Sequence, residues 1–189
     1  MNEQYEKDGF VIYRNFIPEH LVVYFREYFN TLSVGGHLIP GDRQVEKSEV
    51  VYGDPAFDTF LLMSTPIISA VTGLDLLPTY TYARIYHNSS ELIPHTDREE
   101  CEHSCTLSLG GDYDALWPIW VQDKEPGSEP IMVALNPGDL LIYQGTRLCH
   151  WRDAFEGRKQ YQVFLHYVNK NGKFSNKIYD GRKYIGMKK

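Results

Sequence analysis

Hydrophobic and polar residues follow different periods in the first and second parts of the chain. Residues 9–16, GFVIYRNF, alternate between the two classes and predict a strand. Residues 17–32 then predict a helix with a proline in its first turn, because apolar positions recur at helical spacing: Leu21, Phe25, Tyr28 and Phe29. The chain therefore opens with a strand followed by a helix.

A second helix is predicted between residue 54 and residue 73. Asp54 is suited to capping its first turn, and Pro55 is suited to its first position. The helix runs through AFDTFLLM and restarts at Thr65-Pro66, because proline removes a backbone donor. Gly73 is predicted to end it.

After Pro78 the chain changes to short runs rich in β-branched and aromatic residues, separated by the turn sequences GGDYD, DKEPGSEP and NPGD. We predict strands at residues 79–86, 104–110, 116–122, 130–135, 139–144 and 160–168. Strands follow strands here without intervening helices, which excludes a doubly wound parallel sheet. The pattern predicts a mainly β fold, an antiparallel sandwich or barrel with the N-terminal helices packed outside.

A chain of 189 residues is long enough for one core, and we predict a single domain over residues 1–189. Residues 1–78 supply the outer strand and helices, residues 79–168 the β core, and residues 169–189 a packed C-terminal extension. The glycine-punctuated segment 33–54 is predicted to be a loop. It is either a mobile substrate loop or a plain surface excursion.

Charge and hydropathy narrow the range of partners. The net charge of −6 argues against nucleic acid, because affinity for phosphate backbones comes mostly from lysine and arginine. No apolar run approaches the roughly 20 residues that span a bilayer, and the first ten residues have no signal-peptide pattern. We expect a cytoplasmic protein without a membrane partner. The oligomeric state stays open.

Three cysteines, Cys101, Cys105 and Cys149, make an odd number and a poor disulfide framework. Reduced thiols are the simpler interpretation. The alternative is a structural zinc site, because Cys101, His103 and Cys105 alternate in CEHSC and one strand could present them together, with Cys149 as a fourth ligand. No CxxC knuckle supports that alternative.

The strongest chemical pattern is His-x-Asp followed by a late histidine. His95 and Asp97 come just after a predicted strand, and residues i and i+2 of an extended chain share a face. His150 follows 55 residues later, after another predicted strand. Two imidazoles and one carboxylate leave coordination positions open, as in non-haem Fe(II) oxygenases. Zinc hydrolases also use such a set, but no HExxH is present.

These motifs resemble the 2-oxoglutarate and Fe(II)-dependent oxygenase superfamily, in particular its prolyl 4-hydroxylase-like and phytanoyl-CoA-hydroxylase-like branches. DGFVIYRNFIPEHLVVYFREYF is similar to their opening strand and helix, YHNSSELIPHTD to their His-x-Asp segment, and NPGDLLIYQG to the strand before their second histidine. The resemblance implies a double-stranded β-helix (a cupin-like jelly roll). It also implies His95, Asp97 and His150 as Fe(II) ligands, and 2-oxoglutarate and O2 as co-substrates.

The resemblance further implies a tyrosine and a cation that bind 2-oxoglutarate. Tyr86 lies nine residues before His95, where prolyl hydroxylases place such a tyrosine. Their cation comes nine to eleven residues after the second histidine, where this chain has only Lys159, at nine; Arg158, at eight, is nearby. We predict Arg158, because its strand face is polar and a guanidinium grips a carboxylate through two bonds.

Three other arginines have possible roles. Arg84 shares a strand face with Tyr86, and Arg152 follows His150, so both are reserve candidates for the 2-oxoglutarate carboxylate. Arg98, directly after Asp97, is placed at the mouth of the site. It pairs either with an acidic substrate or with the neighbouring Glu99 and Glu100.

The function implied is hydroxylation of a C–H bond coupled to decarboxylation of 2-oxoglutarate. A peptidyl substrate such as a prolyl residue, a free amino acid or a small carboxylic acid fits a compact chain, and nucleobase demethylation fits its acidic balance least. The aromatic residues suit either a shielded site or an ordinary core. The alternative function is a non-catalytic or zinc-binding β-barrel that binds a small ligand.

Overall fold

The computed structural model describes residues 3–187. The helices are α1 (Glu3–Asp8), α2 (Glu19–Val34) and α3 (Pro55–Thr72). The strands are β1 (Phe10–Tyr13), β2 (Ile39–Pro40), β3 (Ser48–Tyr52), β4 (Leu76–His87), β5 (Leu92–His95), β6 (His103–Asp112), β7 (Ile119–Asp123), β8 (Ile131–Val133), β9 (Leu140–Tyr143), β10 (Leu148–Arg152) and β11 (Lys159–Asn169). Short 3-10 turns span Glu99–Cys101 and Ser175–Gly181.

Two antiparallel sheets form the body of the protein. The larger sheet has seven strands in the order β1-β9-β6-β11-β4-β3-β2, and the smaller has four in the order β5-β10-β7-β8. From β4 to β11 the chain passes back and forth between the two sheets, with β7 and β8 forming one hairpin in the smaller sheet, as in a jelly roll. The predicted mainly β fold with helices packed outside is therefore confirmed.

The longest strands of the large sheet separate a core from a cavity. On β11 the odd-numbered residues, such as Val163 and Leu165, pack against α2 and α3 in the main hydrophobic core. Phe29 and Phe57 of the helices are fully buried in that core. Since side chains alternate along a strand, the even-numbered residues face the space between the sheets. The polar Gln160, Gln162 and His166 of this face are buried there, and they mark the functional side.

Three details differ from the sequence predictions. First, α3 is continuous, and the predicted restart at Pro66 is wrong. Residues on both sides of this proline, Leu61 and Ile68, are fully buried in one core, and the Thr65 hydroxyl donates to the Leu61 carbonyl. Packing on both turns thus offsets the one missing backbone hydrogen bond.

Second, the predicted loop over residues 33–54 contains β2 and β3, which extend the large sheet beyond β4.

Third, β5 and β10 were not predicted as strands. Both are short, and each pairs within the smaller sheet. Their stability comes from neighbouring strands far away in sequence, which local patterns do not reveal.

Asp54 caps α3 as predicted. Its carboxylate accepts hydrogen bonds from the backbone N–H groups of Ala56 and Phe57, and from the Tyr28 hydroxyl. We expect Asp54→Ala to lower the free energy of unfolding by about 1–2 kcal/mol, and Asp54→Asn to lower it less, because asparagine keeps an acceptor. Urea unfolding of the three proteins measures this. Equal stability of Asp54→Ala and wild type would show that the cap contributes nothing.

The C-terminal segment is tied to the body through buried charges. Arg182 donates to the carboxylate of Asp58 on α3 at 2.7 Å, and both side chains are fully buried. Asp180 accepts hydrogen bonds from Arg98 and Tyr52. The segment therefore contacts Tyr52 and Arg98, which line the cavity described below. No helix among residues 3–187 is long and apolar enough to cross a bilayer.

Candidate metal centre and its cavity

Strand pairing places the two predicted histidine ligands side by side. His95 is the last residue of β5 and pairs in register with His150 of β10. Their ring centroids are 4.3 Å apart. Asp97 follows directly after β5, and its backbone N–H donates to the Gly145 carbonyl at 2.9 Å. The 55-residue separation in sequence is thus closed by one pair of neighbouring strands.

The three side chains converge on one point. The Oδ1 atom of Asp97 lies 3.8 Å from His95 Nε2 and 3.5 Å from His150 Nε2. One ligand atom from each residue lies within 4.8 Å of the others. Gly145 permits this approach, since a Cβ atom there would lie 2.4 Å from Asp97 Oδ2. The structure brings together all three predicted ligands.

Backbone contacts determine which nitrogen of each histidine is available. His95 Nδ1 lies 2.8 Å from the Ile93 carbonyl, and His150 Nδ1 lies 3.1 Å from the Leu148 carbonyl. A carbonyl oxygen only accepts hydrogen bonds, so each Nδ1 carries the proton and each Nε2 keeps its lone pair. Both lone pairs belong to the atoms nearest Asp97, which is the tautomer that metal coordination requires.

The charges of the group also suit a cation. Burial disfavours the charged carboxylate of Asp97, but the neighbouring imidazoles of His150 and His166 and the Ser104 hydroxyl outweigh it and hold the pKa of Asp97 well below its usual range. Burial and the neighbouring His150 lower the pKa of His95. The three residues therefore present one carboxylate anion and two unprotonated imidazole nitrogens. This set of donor atoms binds Fe(II) or another divalent transition metal.

A cavity of about 410 Å³ opens beside these ligands. Among its walls are side chains from β4 and β11 and from the segment between β2 and β3: Tyr80, Tyr82, Arg84, Tyr86, Phe164, His166, Asp42 and Gln44. The segment predicted as a substrate loop thus contributes to the cavity wall through Asp42 and Gln44. Tyr86 and Arg84 lie on one face of β4, as the alternation of that strand predicted.

Arg84 has unused hydrogen-bonding capacity next to the cavity. Its Nη2 atom donates to Asp42 at 2.5 Å, and its guanidinium lies 5.3 Å from the ring centroids of both Tyr82 and Tyr86. The Nε of Arg84 and the hydroxyl of Tyr86 are buried, and neither has a hydrogen-bond partner among the described residues. Such unsatisfied donors are costly unless a ligand fills the space.

The structure contradicts the prediction that Arg158 binds the 2-oxoglutarate carboxylate, because Arg158 does not line the cavity. The residue precedes β11, its side chain is 84% exposed, and it pairs with Asp112 on the surface. Lys159 begins β11 on the face of Tyr161 and Val163, which pack toward the helices. Neither cation lines the cavity of His95 and His150.

Arg152 lies behind that cavity. It sits on the same face of β10 as His150 and is 3% exposed. Its Nη1 donates to the Trp117 carbonyl at 2.5 Å, and its guanidinium lies over the Trp117 ring. Within the described residues no carboxylate lies within 4 Å of it. Burial lowers the pKa of Arg152.

The alternative interpretation of CEHSC, a structural zinc site, is not supported, because Cys101, His103 and Cys105 do not converge among the described residues. A 3-10 turn at Glu99–Cys101 interrupts the alternation, so Cys101 and Cys105 do not share a strand face. Cys105 is fully buried in the core that faces the helices, and His103 contacts the Tyr5 hydroxyl. Cys101 instead lines the cavity.

Sequence reasoning missed the surroundings of Asp97. The Ser104 hydroxyl donates to Asp97 Oδ2 at 2.6 Å and also contacts His166 Nδ1 at 3.0 Å. Arg98 pairs with Asp180 of the C-terminal segment as well as with the predicted Glu100. For His166, the only sequence signal that it lies near Asp97 was its position on the inward-facing side of β11.

Two buried histidines predict an acid-sensitive protein. Burial lowers the pKa values of His103 and His166 from 6.5 to about 4. Between pH 6.5 and pH 4 these two histidines are protonated in the unfolded chain but remain neutral in the folded chain. The stability present above pH 6.5 is therefore lost as the pH falls toward 4. From pH 7 to pH 5 each histidine should cost about 2 kcal/mol of unfolding free energy.

Urea unfolding of the metal-free protein at both pH values measures this loss. His103→Gln should reduce it, because glutamine does not titrate. His20→Gln, in α2, is the control variant. Its loss of unfolding free energy between pH 7 and pH 5 should equal that of wild type. An unfolding free energy independent of pH across this range would contradict the assignment.

No family model matches the sequence, and no curated protein matches it. Solved structures do match. A prolyl-4-hydroxylase from Pseudomonas putida is 16% identical, with a TM-score of 0.72 over 88% of this chain and 96% of that chain. A prolyl hydroxylase from Trichoplax adhaerens, in complex with a hypoxia inducible factor peptide fragment, is 16% identical, with a TM-score of 0.73 over 88% of this chain and 86% of that chain.

A third match carries ligands. HygX from Streptomyces hygroscopicus, with nickel and 2-oxoglutarate bound, is 15% identical, with a TM-score of 0.66 over 90% of this chain and 88% of that chain. At these identities the likeness establishes the fold. The chain has the jelly-roll fold of 2-oxoglutarate and Fe(II)-dependent oxygenases, as the sequence resemblance predicted.

Proposed function

We propose that this protein is a 2-oxoglutarate and Fe(II)-dependent oxygenase in which His95, Asp97 and His150 bind the ferrous ion. The observation that carries the proposal is the convergence of two unprotonated Nε2 atoms and one carboxylate oxygen at the wall of a cavity. Three protein ligands leave positions for a co-substrate and oxygen. The shared fold and the donor set support the same conclusion independently.

Arg84 and Tyr86 are proposed to bind the far carboxylate of 2-oxoglutarate. Both line the cavity of the proposed metal ligands, and each carries one buried donor that has no hydrogen-bond partner within residues 3–187. A carboxylate placed there accepts charge-assisted hydrogen bonds from the guanidinium and one from the tyrosine hydroxyl. The rings of Tyr82 and Tyr86 on either side of Arg84 restrict its guanidinium, so little side-chain freedom is lost on binding.

Bound iron and 2-oxoglutarate would supply the chemistry that uses O2 to hydroxylate a C–H bond, with succinate and CO2 as products. The protein's own contribution is position and exclusion of water. Ser104 fixes one oxygen of Asp97, so the other is directed toward the histidines. The apolar side chains of Leu92, Ile119 and Phe164 line the cavity and limit access of water to the reacting groups.

The proposed substrate is a C–H group in a peptide or in a small amino acid or carboxylic acid. A cavity of about 410 Å³ has room for a small co-substrate and one further side chain or small molecule. The structural neighbours include a prolyl hydroxylase in complex with a peptide fragment and HygX with hygromycin B bound, so this fold accommodates a peptide in one protein and a small molecule in another.

The test is co-substrate turnover. Apoprotein supplied with Fe(II), 2-oxoglutarate and O2 should form succinate, and addition of cell extract should yield a product heavier by one oxygen atom in mass spectrometry. Omission of Fe(II) or of 2-oxoglutarate should remove both signals. Purified protein that retains zinc and forms no succinate under any of these conditions would favour a non-catalytic or zinc-binding barrel instead.

A further inference from the structure

A second group of metal-binding side chains shares Asp97 with the first. Asp97, Cys101 and His166 bring one carboxylate oxygen, one sulfur and one imidazole nitrogen within 4.8 Å of one another. Cys101 is 2% exposed and His166 is 6% exposed, and both line the cavity. The proposed oxygenase chemistry assigns no role to either side chain.

Hydrogen bonding determines the form of His166. Ser104 donates its single hydroxyl proton to Asp97 Oδ2, so its oxygen accepts from His166 Nδ1, which lies 3.0 Å away. His166 Nδ1 therefore carries the proton, and Nε2 keeps a lone pair. The ring of His166 lines the cavity, and its side-chain hydrogen bond to Ser104 runs through Nδ1. An imidazole oriented through its other nitrogen, with Nε2 open, has the usual arrangement of a metal ligand.

Cys101 has a supporting partner as well. Arg98 Nε donates to the Tyr80 hydroxyl oxygen at 3.3 Å, and the same hydroxyl shares a hydrogen bond with Cys101 Sγ, 3.0 Å away. The Arg98 guanidinium also lies over the Tyr80 ring, 4.6 Å from its centroid. Burial and the nearby Asp97 raise the pKa of the Cys101 thiol, and the Tyr80 hydroxyl and Arg98 only partly oppose that rise. The sulfur therefore keeps its proton until a bound cation displaces it.

We propose that Asp97, Cys101 and His166 form a second metal site, which takes a thiophilic divalent cation of the Zn²⁺ type. Sulfur, imidazole and carboxylate donors suit zinc and cobalt, and they exclude calcium and magnesium, which take oxygen ligands. Binding breaks the S–H bond of Cys101, the sulfur coordinates the cation, and the proton passes to solvent. The redox state of the protein does not change.

The shared Asp97 couples the two sites. Because Asp97 is the only anionic residue of the first group, a cation held by Cys101 and His166 competes with the ferrous ion for it. A Zn²⁺ ion at the second site would thus inhibit the enzyme, and this consequence rests on the proposed function. The existence of the site does not.

Cobalt titration of the apoprotein tests the site without any substrate. We expect Co²⁺ to produce a thiolate-to-cobalt charge-transfer absorption in the near ultraviolet, and Zn²⁺ to displace it. Cys101→Ser should abolish the absorption, and Cys149→Ser should retain it. His95→Ala should also retain it while losing iron binding, which separates this site from the first one.

A smaller change, the removal of one hydroxyl group, tests the site with less disturbance of the fold. Tyr80→Phe removes the hydroxyl next to Cys101 and should lower the Co²⁺ affinity about tenfold or more, as loss of an outer-shell partner typically does. Tyr52→Phe, whose hydroxyl contacts Asp180 instead, is the matched control and should keep the wild-type affinity. Cobalt binding without a thiolate band, or a band that survives Cys101→Ser, would overturn the proposal.

Discussion

A His150→Ala variant is expected to lose succinate formation from 2-oxoglutarate by more than 100-fold. Outer-shell partners of a metal ligand typically contribute 10- to 100-fold to affinity or activity, and a direct ligand contributes more. His150 Nε2 lies 3.5 Å from Asp97 Oδ1, so its removal leaves the ferrous ion with one imidazole and one carboxylate. The measurement is succinate released per minute at saturating Fe(II) and 2-oxoglutarate.

Two further variants separate loss of a ligand from loss of the fold. His150 is buried, so alanine leaves a cavity, whereas His150→Asn keeps a polar group that can donate to the Leu148 carbonyl. It should be equally inactive, with an unfolding free energy closer to that of wild type. His20→Ala, in α2 and outside the metal group, should retain full turnover. Activity in His150→Asn would remove His150 from the ligand set.

An Arg84→Gln variant is expected to weaken 2-oxoglutarate binding by about 10- to 100-fold. Hydrogen bonds to a charged partner are worth roughly 1.5–3 kcal/mol, and the buried Nε of the Arg84 guanidinium has no hydrogen-bond partner among the residues that the structure describes. The dissociation constant of 2-oxoglutarate, measured by anaerobic titration with Fe(II) present, reports the change. Iron affinity without 2-oxoglutarate should stay near that of wild type.

Matched variants identify which cation is used. Tyr86→Phe removes only the unsatisfied hydroxyl and should weaken binding less than Arg84→Gln does. Arg158→Gln, on the surface, should bind 2-oxoglutarate normally. Normal 2-oxoglutarate binding by Arg84→Gln together with weak binding by Arg152→Gln would assign the role to Arg152, which is buried and has no carboxylate within 4 Å in the described part of the chain.

The three candidate metal ligands could be predicted from the sequence because two of them belong to one short motif. His95 and Asp97 are two residues apart, and only the position of His150 required the fold, which one strand pair supplies. Alternation along β4 likewise placed Arg84 and Tyr86 on one face. Side chains of a strand could thus be assigned to a face wherever the strand itself was recognised.

The errors arose where a strand boundary or a tertiary contact decided the outcome. Arg158 lies one residue before β11 begins, and Asp112 holds it at the surface. The 3-10 turn at Glu99–Cys101 directs Cys101 toward the cavity and away from Cys105. Asp42 reaches Arg84 from 42 positions away, through a segment that no local pattern connects to the cavity. Such contacts depend on tertiary packing, and the alternation of hydrophobic and polar residues along a strand does not predict them.

Anaerobic absorption spectroscopy tests the ferrous site most directly. Wild-type apoprotein given one equivalent of Fe(II) and excess 2-oxoglutarate should develop a visible metal-to-ligand charge-transfer band, and His95→Ala and His150→Ala should each lack it. A colourless wild-type complex, or a band of unchanged intensity in both variants, would contradict a ferrous site formed by His95, Asp97 and His150.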